Sequence, residues 1–188
     1  MKQGFRVKEL AYVAMGIALT AVCSWISVPA FLPTMVPFTL QTFAVCLVTA
    51  LLGLRLGFWT VLGYILLGLV GVPVFSGFRG GLGVLLGTTG GYIVGFLFTA
   101  LAVGLAVDKL GRKLPVLILS MVVGILLCYT FGTVWFVIVY TRSSGAIGVG
   151  TALAWCVVPY LIPDGVKIAL AAILTGRLHG IVQKGLNA

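Results

Sequence analysis

Charged residues divide this chain into long apolar stretches. In chain order, the uncharged intervals run from Glu9 to Arg55, Arg55 to Arg79, Arg79 to Asp108, Lys113 to Arg142 and Arg142 to Asp164. Each interval is long enough for the roughly 20 residues that a helix needs to cross a bilayer. The pattern therefore predicts a series of transmembrane helices.

Prolines refine these boundaries because proline ends a helix and keeps the residue before it out of helical geometry. Pro29, Pro33 and Pro37 split the first, double-length interval. Pro159 and Pro163 interrupt the last apolar segment, and Pro163 suits the first position of a new helix. We predict an all-α membrane protein, a single integral membrane domain over residues 1–188, with six transmembrane helices at about 10–28, 38–54, 56–74, 84–107, 114–140 and 163–184 and a short helix at about 151–158.

Composition excludes a water-soluble fold. Apolar residues make up 61% of the 188 residues and charged residues 8%, against roughly 45–50% and 25% in soluble domains. The four cysteines lie in apolar runs without metal-ligand or redox spacing, so we predict small buried hydrophobic residues there. The net charge of +9 comes from basic residues scattered between apolar spans, which is not the basic patch that binds nucleic acid.

The basic residues predict the orientation of the bundle. With six spans, nine basic residues fall on the side of the N-terminus and two, Arg79 and Arg142, on the opposite side. Cytoplasmic loops carry the excess of Lys and Arg, so both termini are predicted to be cytoplasmic. The nine are Lys2, Arg6, Lys8, Arg55, Lys109, Arg112, Lys113, Arg177 and Lys184.

The inventory of reactive groups points away from catalysis. The chain has no G-x-x-x-x-G-K-[ST] sequence that would cradle ATP. Its single histidine, His179, lies near the C-terminus among residues predicted to be cytoplasmic, far from a nucleophile at membrane depth. We therefore predict that the protein is not an enzyme, and expect neither catalytic residues nor a metal site.

Asp164 and Lys167 are the strongest candidates for a binding site. They lie three residues apart, on one face of the last predicted helix. Ionisable residues inside a membrane span are costly and mark functional sites. Two interpretations stay open: the side chains pair only to neutralise their charges, or they form a polar clamp in which the lysine favours an anion and the aspartate accepts N–H donors.

Glycine-rich segments form a second group of candidates. The run 71–83 and the ridge of Gly87, Gly91 and Gly95 fit either tight helix packing or a loop over a pocket. Aromatic residues of these segments would supply apolar walls to such a pocket. These aromatic residues are Phe75, Phe78 and Tyr92.

Small residues form a stripe along the first predicted helix, at spacings of three and four: Ala11, Ala14, Ala18 and Ala21. Such a face lets another helix approach closely, either within this chain or from a partner. Thr39 and Gln41 stand just inside the second predicted helix, at the same outer level as the first two groups. Three polar or glycine-rich elements therefore converge on one side of the membrane.

Four spaced motifs cover essentially the whole chain in order: Val36-Pro37-x-Thr39-x-Gln41, Gly71-Val72-Pro73-Val74-Phe75, Leu86-Gly87-x-Thr89-Gly90-Gly91-Tyr92 and Pro159-Tyr160-x-x-x-Asp164-x-x-Lys167. Together they resemble the BioY family, the biotin-specific substrate-binding subunits of energy-coupling factor (ECF) transporters. One position departs from the family pattern, because Thr88 stands where proline is usual and should loosen that turn.

The resemblance implies a multi-pass protein of a prokaryotic cell membrane. This protein would be a six-helix bundle that binds biotin with high affinity near its outer face and needs no cofactor of its own. It also implies that Ala14 and Ala18 dock on a shared transmembrane coupling subunit, and that two ATPase subunits supply the energy from ATP. The ligand contacts that it suggests are Gln41, Gly91, Tyr92, Asp164 and Lys167. Thr39, Phe75 and Trp135 complete the predicted site.

A self-contained secondary transporter or facilitator for a small carboxylate-bearing metabolite is the alternative. Such a protein would normally have a second buried charge for ion coupling, or broken helices in both halves of a repeat. The sequence predicts one broken helix, next to Pro159 and Pro163. If the ligand were another vitamin, the predicted fold and partners would be unchanged.

Overall fold

The computed structural model describes residues 6–28 and 36–187. Within them lie α1 (Val7–Trp25), β1 (Ser27–Val28), β2 (Phe38–Thr39), α2 (Gln41–Leu69), α3 (Leu82–Leu86), α4 (Gly90–Leu110), α5 (Leu114–Ser144), α6 (Val149–Cys156) and α7 (Leu161–Asn187). A 3₁₀ turn, Val158–Tyr160, joins α6 to α7. Helices long and apolar enough to span a membrane occupy most of these ranges, which confirms the predicted all-α transmembrane fold.

α2 is a helical hairpin. At its centre Gly53 has φ 79° and ψ −175°, a conformation open almost only to glycine. Across this turn, a Cβ on Gly57 would lie 2.8 Å from Thr49 Cα, and Gln41 Nε2 donates to Tyr64 Oη at 2.6 Å. Positions eight or more residues apart along a straight helix are at least about 12 Å apart. The two arms, 41–52 and 54–69, therefore run antiparallel.

These arms correspond to the helices predicted at 38–54 and 56–74 but are shorter at the ends far from Gly53. Phe38 and Thr39 are not helical because they pair with β1, in the register Ser27 to Thr39. The second arm ends at Leu69, just before the turn at Gly71, where φ is 100°.

α1, α5 and α6 lie within four residues of their predicted bounds, whereas two other helices begin differently from the prediction. The predicted helix 84–107 is divided, since the short α3 ends at Leu86 and α4 begins at Gly90. α7 begins at Leu161, so Pro163 lies within its first turn and not at its first position. The proline break predicted between Pro29 and Pro33 lies outside the described residues.

The turn of the α2 hairpin is held by the turn between α4 and α5. Asp108 Oδ2 accepts the Leu54 N–H at 3.0 Å, and Arg112 Nε donates to the Ala50 carbonyl at 2.8 Å. These two contacts satisfy a free donor at the start of the second arm and a free acceptor at the end of the first. This end of the bundle, called the basic end below, also carries Arg55, which lies 4.0 Å from Glu9 of α1, and the end of α7, where Gln183 Nε2 donates to the Leu51 carbonyl at 3.4 Å.

α4 and α5 pack closely through glycines on both helices. A Cβ on Gly91 would lie 2.2 Å from Trp135 Cβ, and one on Gly95 would lie 2.9 Å from Cys128 Sγ. Conversely, a Cβ on Gly132 of α5 would lie 2.2 Å from the Tyr92 ring. Small residues allow helix backbones to approach in this way in membranes, so Gly91 and Gly95 serve helix packing, whereas Gly87 of the predicted ridge precedes α4.

Candidate ligand-binding cavity

A cavity lies at the end of the bundle opposite the basic end. It contains about 690 Å³ of empty space, counting the part that opens to the outside. Its wall combines residues from the start of α2, the loop 70–81, α4, α5 and α7. The apolar part of the wall includes Val36, Phe75, Val84, Ile93 and Phe96.

One wall of the cavity carries a buried ion pair. Asp164 and Lys167 are 4% and 5% exposed, and Lys167 Nζ lies 2.7 Å from Asp164 Oδ1. The ammonium group also donates to the Thr39 carbonyl at 2.6 Å and to Thr42 Oγ1 at 3.3 Å. An ammonium has three N–H donors, so all three have acceptors within the protein. The ring of Phe38 lies 4.1 Å from Nζ and adds a cation–π contact.

Hydrogen bonds also hold the Asp164 carboxylate from two other helices. Thr42 Oγ1, at the start of α2, donates to Oδ1 at 3.0 Å. The Tyr129 hydroxyl, on α5, donates to Oδ2. Burying a charge is costly unless it is paired and hydrogen-bonded, and here both conditions are met. The pair therefore joins α2, α5 and α7 around the cavity.

A chain of buried polar groups continues from this pair towards α1. Thr39 Oγ1 donates to Gln41 Oε1 at 2.9 Å, and Gln41 Nε2 donates to the Tyr64 hydroxyl. Tyr64 Oη and Ser24 Oγ both donate to the Val74 carbonyl, at 2.9 and 2.5 Å. Residues from α1, the loop after α2 and both arms of α2 are thus connected.

The loop 70–81 covers the cavity and is fixed to the end of α1. Trp25 Nε1 donates to the Pro73 carbonyl at 2.9 Å, and the Trp25 ring stacks on Phe78 at 5.0 Å. Two backbone hydrogen bonds between Phe75 and Arg79 close a tight turn, in which Phe78 has φ 54°. The turn directs Phe75, 1% exposed, inwards and leaves Arg79 at the exposed rim of the cavity.

Six of the eight predicted ligand-site residues line this cavity: Thr39, Gln41, Phe75, Tyr92, Asp164 and Lys167. The structure does not bring Gly91 and Trp135 to it. Trp135 packs against Gly91 at the α4–α5 contact, and its indole N–H donates to the Gly87 carbonyl at 2.9 Å. Asp164 and Lys167 do pair, and both line the cavity, but their contact with a ligand stays a prediction.

Sequence reasoning missed six polar residues of the cavity wall: Thr42, Ser76, Arg79, Thr89, Tyr129 and Tyr160. Thr42 and Tyr129 bind Asp164, and the Tyr160 hydroxyl donates to the Val36 carbonyl at 2.5 Å. Thr42 follows Gln41 directly, and Tyr160 lies within the motif that contains Asp164 and Lys167, so both could have been found from the sequence. Tyr129 stands alone in an apolar run and gives no local signal.

The sequence profile of the BioY family matches residues 1–184 of the chain. The chain belongs to the BioY family. BioY-family relatives include the probable biotin transporter BioY of Pyrococcus horikoshii, 39% identical over 93% of this chain and 98% of its own length. The biotin transporter BioY of Thermotoga maritima is 36% identical over 92% of this chain and 96% of its own length.

A solved structure has the same fold. The crystal structure of the S-component for biotin from an ECF-type ABC transporter matches with a TM-score of 0.83 at 26% sequence identity. The match covers 93% of this chain and 92% of that chain. With its apolar helices and its bacterial and archaeal relatives, this member of the BioY family is a multi-pass protein of the cell membrane.

Proposed function

We propose that this BioY-family chain is the high-affinity biotin-binding subunit of an ECF-type vitamin uptake transporter. The observation that carries the proposal is the buried Asp164–Lys167 pair in the wall of a largely apolar cavity. Biotin combines an apolar bicyclic ring and chain with a ureido group, which has two N–H donors and a carbonyl, and with a carboxylate. A site for biotin therefore needs apolar walls, an acceptor and a cation.

The polar groups of the cavity suit the two ends of biotin differently. Lys167 has its three donors engaged within the protein, whereas Asp164 Oδ2 accepts one hydrogen bond from the described residues and has room for another. Asp164 therefore takes a ureido N–H. Arg79 lies at the exposed rim, and its guanidinium suits the carboxylate of the ligand chain. In this orientation the ureido ring lies deep and the carboxylate lies near the opening.

The distribution of charge supports capture from outside. The basic end holds the α2 turn and the α4–α5 turn, and cytoplasmic segments are enriched in Lys and Arg. The cavity lies at the opposite end, which therefore faces outwards. Both termini lie on the cytoplasmic side.

The small-residue stripe of α1 suits a partner helix. Ala14 and Ala18 are exposed, whereas Ala21 is buried at 6% exposure. Exposed small residues on a transmembrane helix allow another helix to approach closely. In this proposal the stripe docks on the transmembrane coupling subunit, and two cytoplasmic ATPase subunits use ATP to drive uptake.

Titration of the purified protein with biotin tests the proposal. We expect tight binding to the wild type and a sharp loss of affinity in Asp164→Asn and Lys167→Ala. Lys109→Ala is the matched control, because Lys109 is exposed at the basic end. Unchanged affinity in both site variants would contradict the assignment of the pair to the ligand. Mass spectrometry of small molecules that copurify with the protein identifies a different vitamin if one is bound.

A further inference from the structure

The Tyr129 hydroxyl binds the site carboxylate from a different helix. Tyr129 lies on α5 and Asp164 on α7, and the hydroxyl donates to Asp164 Oδ2. Both side chains line the cavity, and they are 8% and 4% exposed. The ligand assignments above give this hydroxyl no contact of its own.

The acceptor positions of Asp164 are nearly filled. An ionised carboxylate offers about four lone-pair positions on its two oxygens. Oδ1 accepts from Lys167 at 2.7 Å and from Thr42 at 3.0 Å, and Oδ2 accepts from Tyr129. Within residues 6–28 and 36–187 these three donors leave one acceptor position, on Oδ2.

We propose that Tyr129 is a positioning residue that determines which ligand N–H the site accepts. Its hydroxyl fills one side of Oδ2 and fixes the rotation of the carboxylate. A single acceptor position on Oδ2, directed towards the cavity, then remains for a ligand. A ligand with a cyclic urea then has only one of its two N–H groups on Asp164. This inference rests on the proposed function for the identity of the ligand. The hydrogen bond from Tyr129 to Asp164 does not depend on which ligand binds.

The hydrogen bond from Tyr129 to Asp164 is tested first, in the absence of ligand. The chain has two aspartates, Asp108 and Asp164, so labelling aspartate with a ¹³C carboxyl group reports two carboxylates in an infrared spectrum. We expect Tyr129→Phe to shift one of the two bands. Tyr140→Phe is the control, because Tyr140 lies on the same helix but packs on Phe136 and Trp155, away from the cavity. No shift in Tyr129→Phe would overturn the proposal, whatever the ligand is.

The selectivity is tested with biotin and its two singly N-methylated ureido derivatives. Losing one hydrogen bond to a charged group costs about tenfold or more in affinity, so the wild type should bind one methyl isomer at least about tenfold more weakly than the other. In Tyr129→Phe this ratio should fall towards one, because Oδ2 then has two open positions. Tyr129→His, which keeps a donor, should restore the ratio.

The possible results are distinguishable. An equal loss of affinity for all three ligands in Tyr129→Phe would assign Tyr129 a purely structural role and overturn the proposal. An unchanged ratio of the two methyl isomers would overturn it as well. If the wild type binds no biotin, the proposed function fails, and the infrared experiment decides the role of Tyr129 independently.

Discussion

Lys167 Nζ lies 2.7 Å from Asp164 Oδ1, one helical turn away on α7, and it also donates to the Thr39 carbonyl at 2.6 Å. Because Thr39 precedes α2, the ion pair fixes the start of α2 against α7. The same two side chains form part of the cavity wall. Their loss should therefore affect both stability and ligand binding, and the two effects can be separated.

Removing one charge of this pair should destabilise the protein more than removing both. Lys167→Met leaves the buried Asp164 carboxylate without its cation, which costs about 3–5 kcal/mol for buried pairs. The double variant Asp164→Asn with Lys167→Met leaves no net buried charge and should lose less. Thermal unfolding of the ligand-free protein in detergent measures both, with Lys109→Ala as the exposed control. A double variant less stable than Lys167→Met would contradict this expectation.

Gly91→Ala should lower stability and leave the biotin affinity of the folded protein nearly unchanged. The new Cβ would lie 2.2 Å from Trp135 Cβ, so α4 and α5 must move apart, at a cost of about 1–3 kcal/mol. Thermal unfolding and biotin titration, run on the same sample, measure the two quantities.

Gly176→Ala on α7 is the matched control for that substitution. A Cβ on Gly176 meets no atom within 4 Å, and replacing a helical glycine with alanine stabilises by about 0.5–1 kcal/mol. If Gly91→Ala instead kept its stability and lost biotin affinity, Gly91 would be a ligand contact, as the family resemblance suggests, and not a packing residue.

Gly53→Ala should destabilise the α2 hairpin. Its φ of 79° and ψ of −175° cost a non-glycine residue about 1–3 kcal/mol, and the new Cβ would lie 2.6 Å from Asp108 Oδ1. Displacing Asp108 would also remove its bond to the Leu54 N–H. Gly180→Ala, which meets no atom within 4 Å, is the control. A melting temperature of Gly53→Ala equal to that of the wild type would show that the turn relaxes without cost.

The sequence predicts several residues of the site that are charged or polar, because burying such side chains in a membrane costs free energy. Asp164 and Lys167 stand out because charges are rare in apolar spans, and Gln41 and Thr39 because they follow a proline at a helix start. Spatial partners separated by many residues give no such signal. Thr42 and Asp164 are 122 positions apart, and Tyr129 lies in an apolar run, so their contact follows only from the fold.

Packing faces were harder to predict than polar residues. Trp135 and Gly91 were both predicted to line the cavity, but they pack against each other at the α4–α5 contact. Spacing along α5 does not show which neighbouring helix its tryptophan contacts. The hairpin of α2 depends on the backbone conformation of Gly53. A single glycine between two leucines does not reveal that conformation. The charge at Arg55 nevertheless placed the boundary between the two spans within two residues of Gly53.

Tryptophan at the α1 stripe should abolish uptake while sparing biotin binding. Ala14 and Ala18 are exposed, so Ala14→Trp and Ala18→Trp fit this chain without disturbing its core but fill the space that a docked helix needs. Uptake of labelled biotin into cells that contain the coupling subunit and both ATPases should fall to background, and titration of the purified variants should give wild-type affinity. Val123→Trp is the control, because Val123 is also exposed, at 43%, but on α5.

Two results would count against the docking role of the stripe. Weaker biotin binding by both purified variants would place the stripe inside the working fold, and not at a partner surface. Uptake by the wild-type chain in cells that lack the coupling subunit and the ATPases, equal to uptake in complete cells, would favour a self-contained transporter. In that case a tryptophan at position 14 or 18 would face lipid, where a larger side chain is tolerated. Uptake by both variants would then match that of Val123→Trp. The same set of variants therefore separates a subunit that needs a partner from a carrier that works alone.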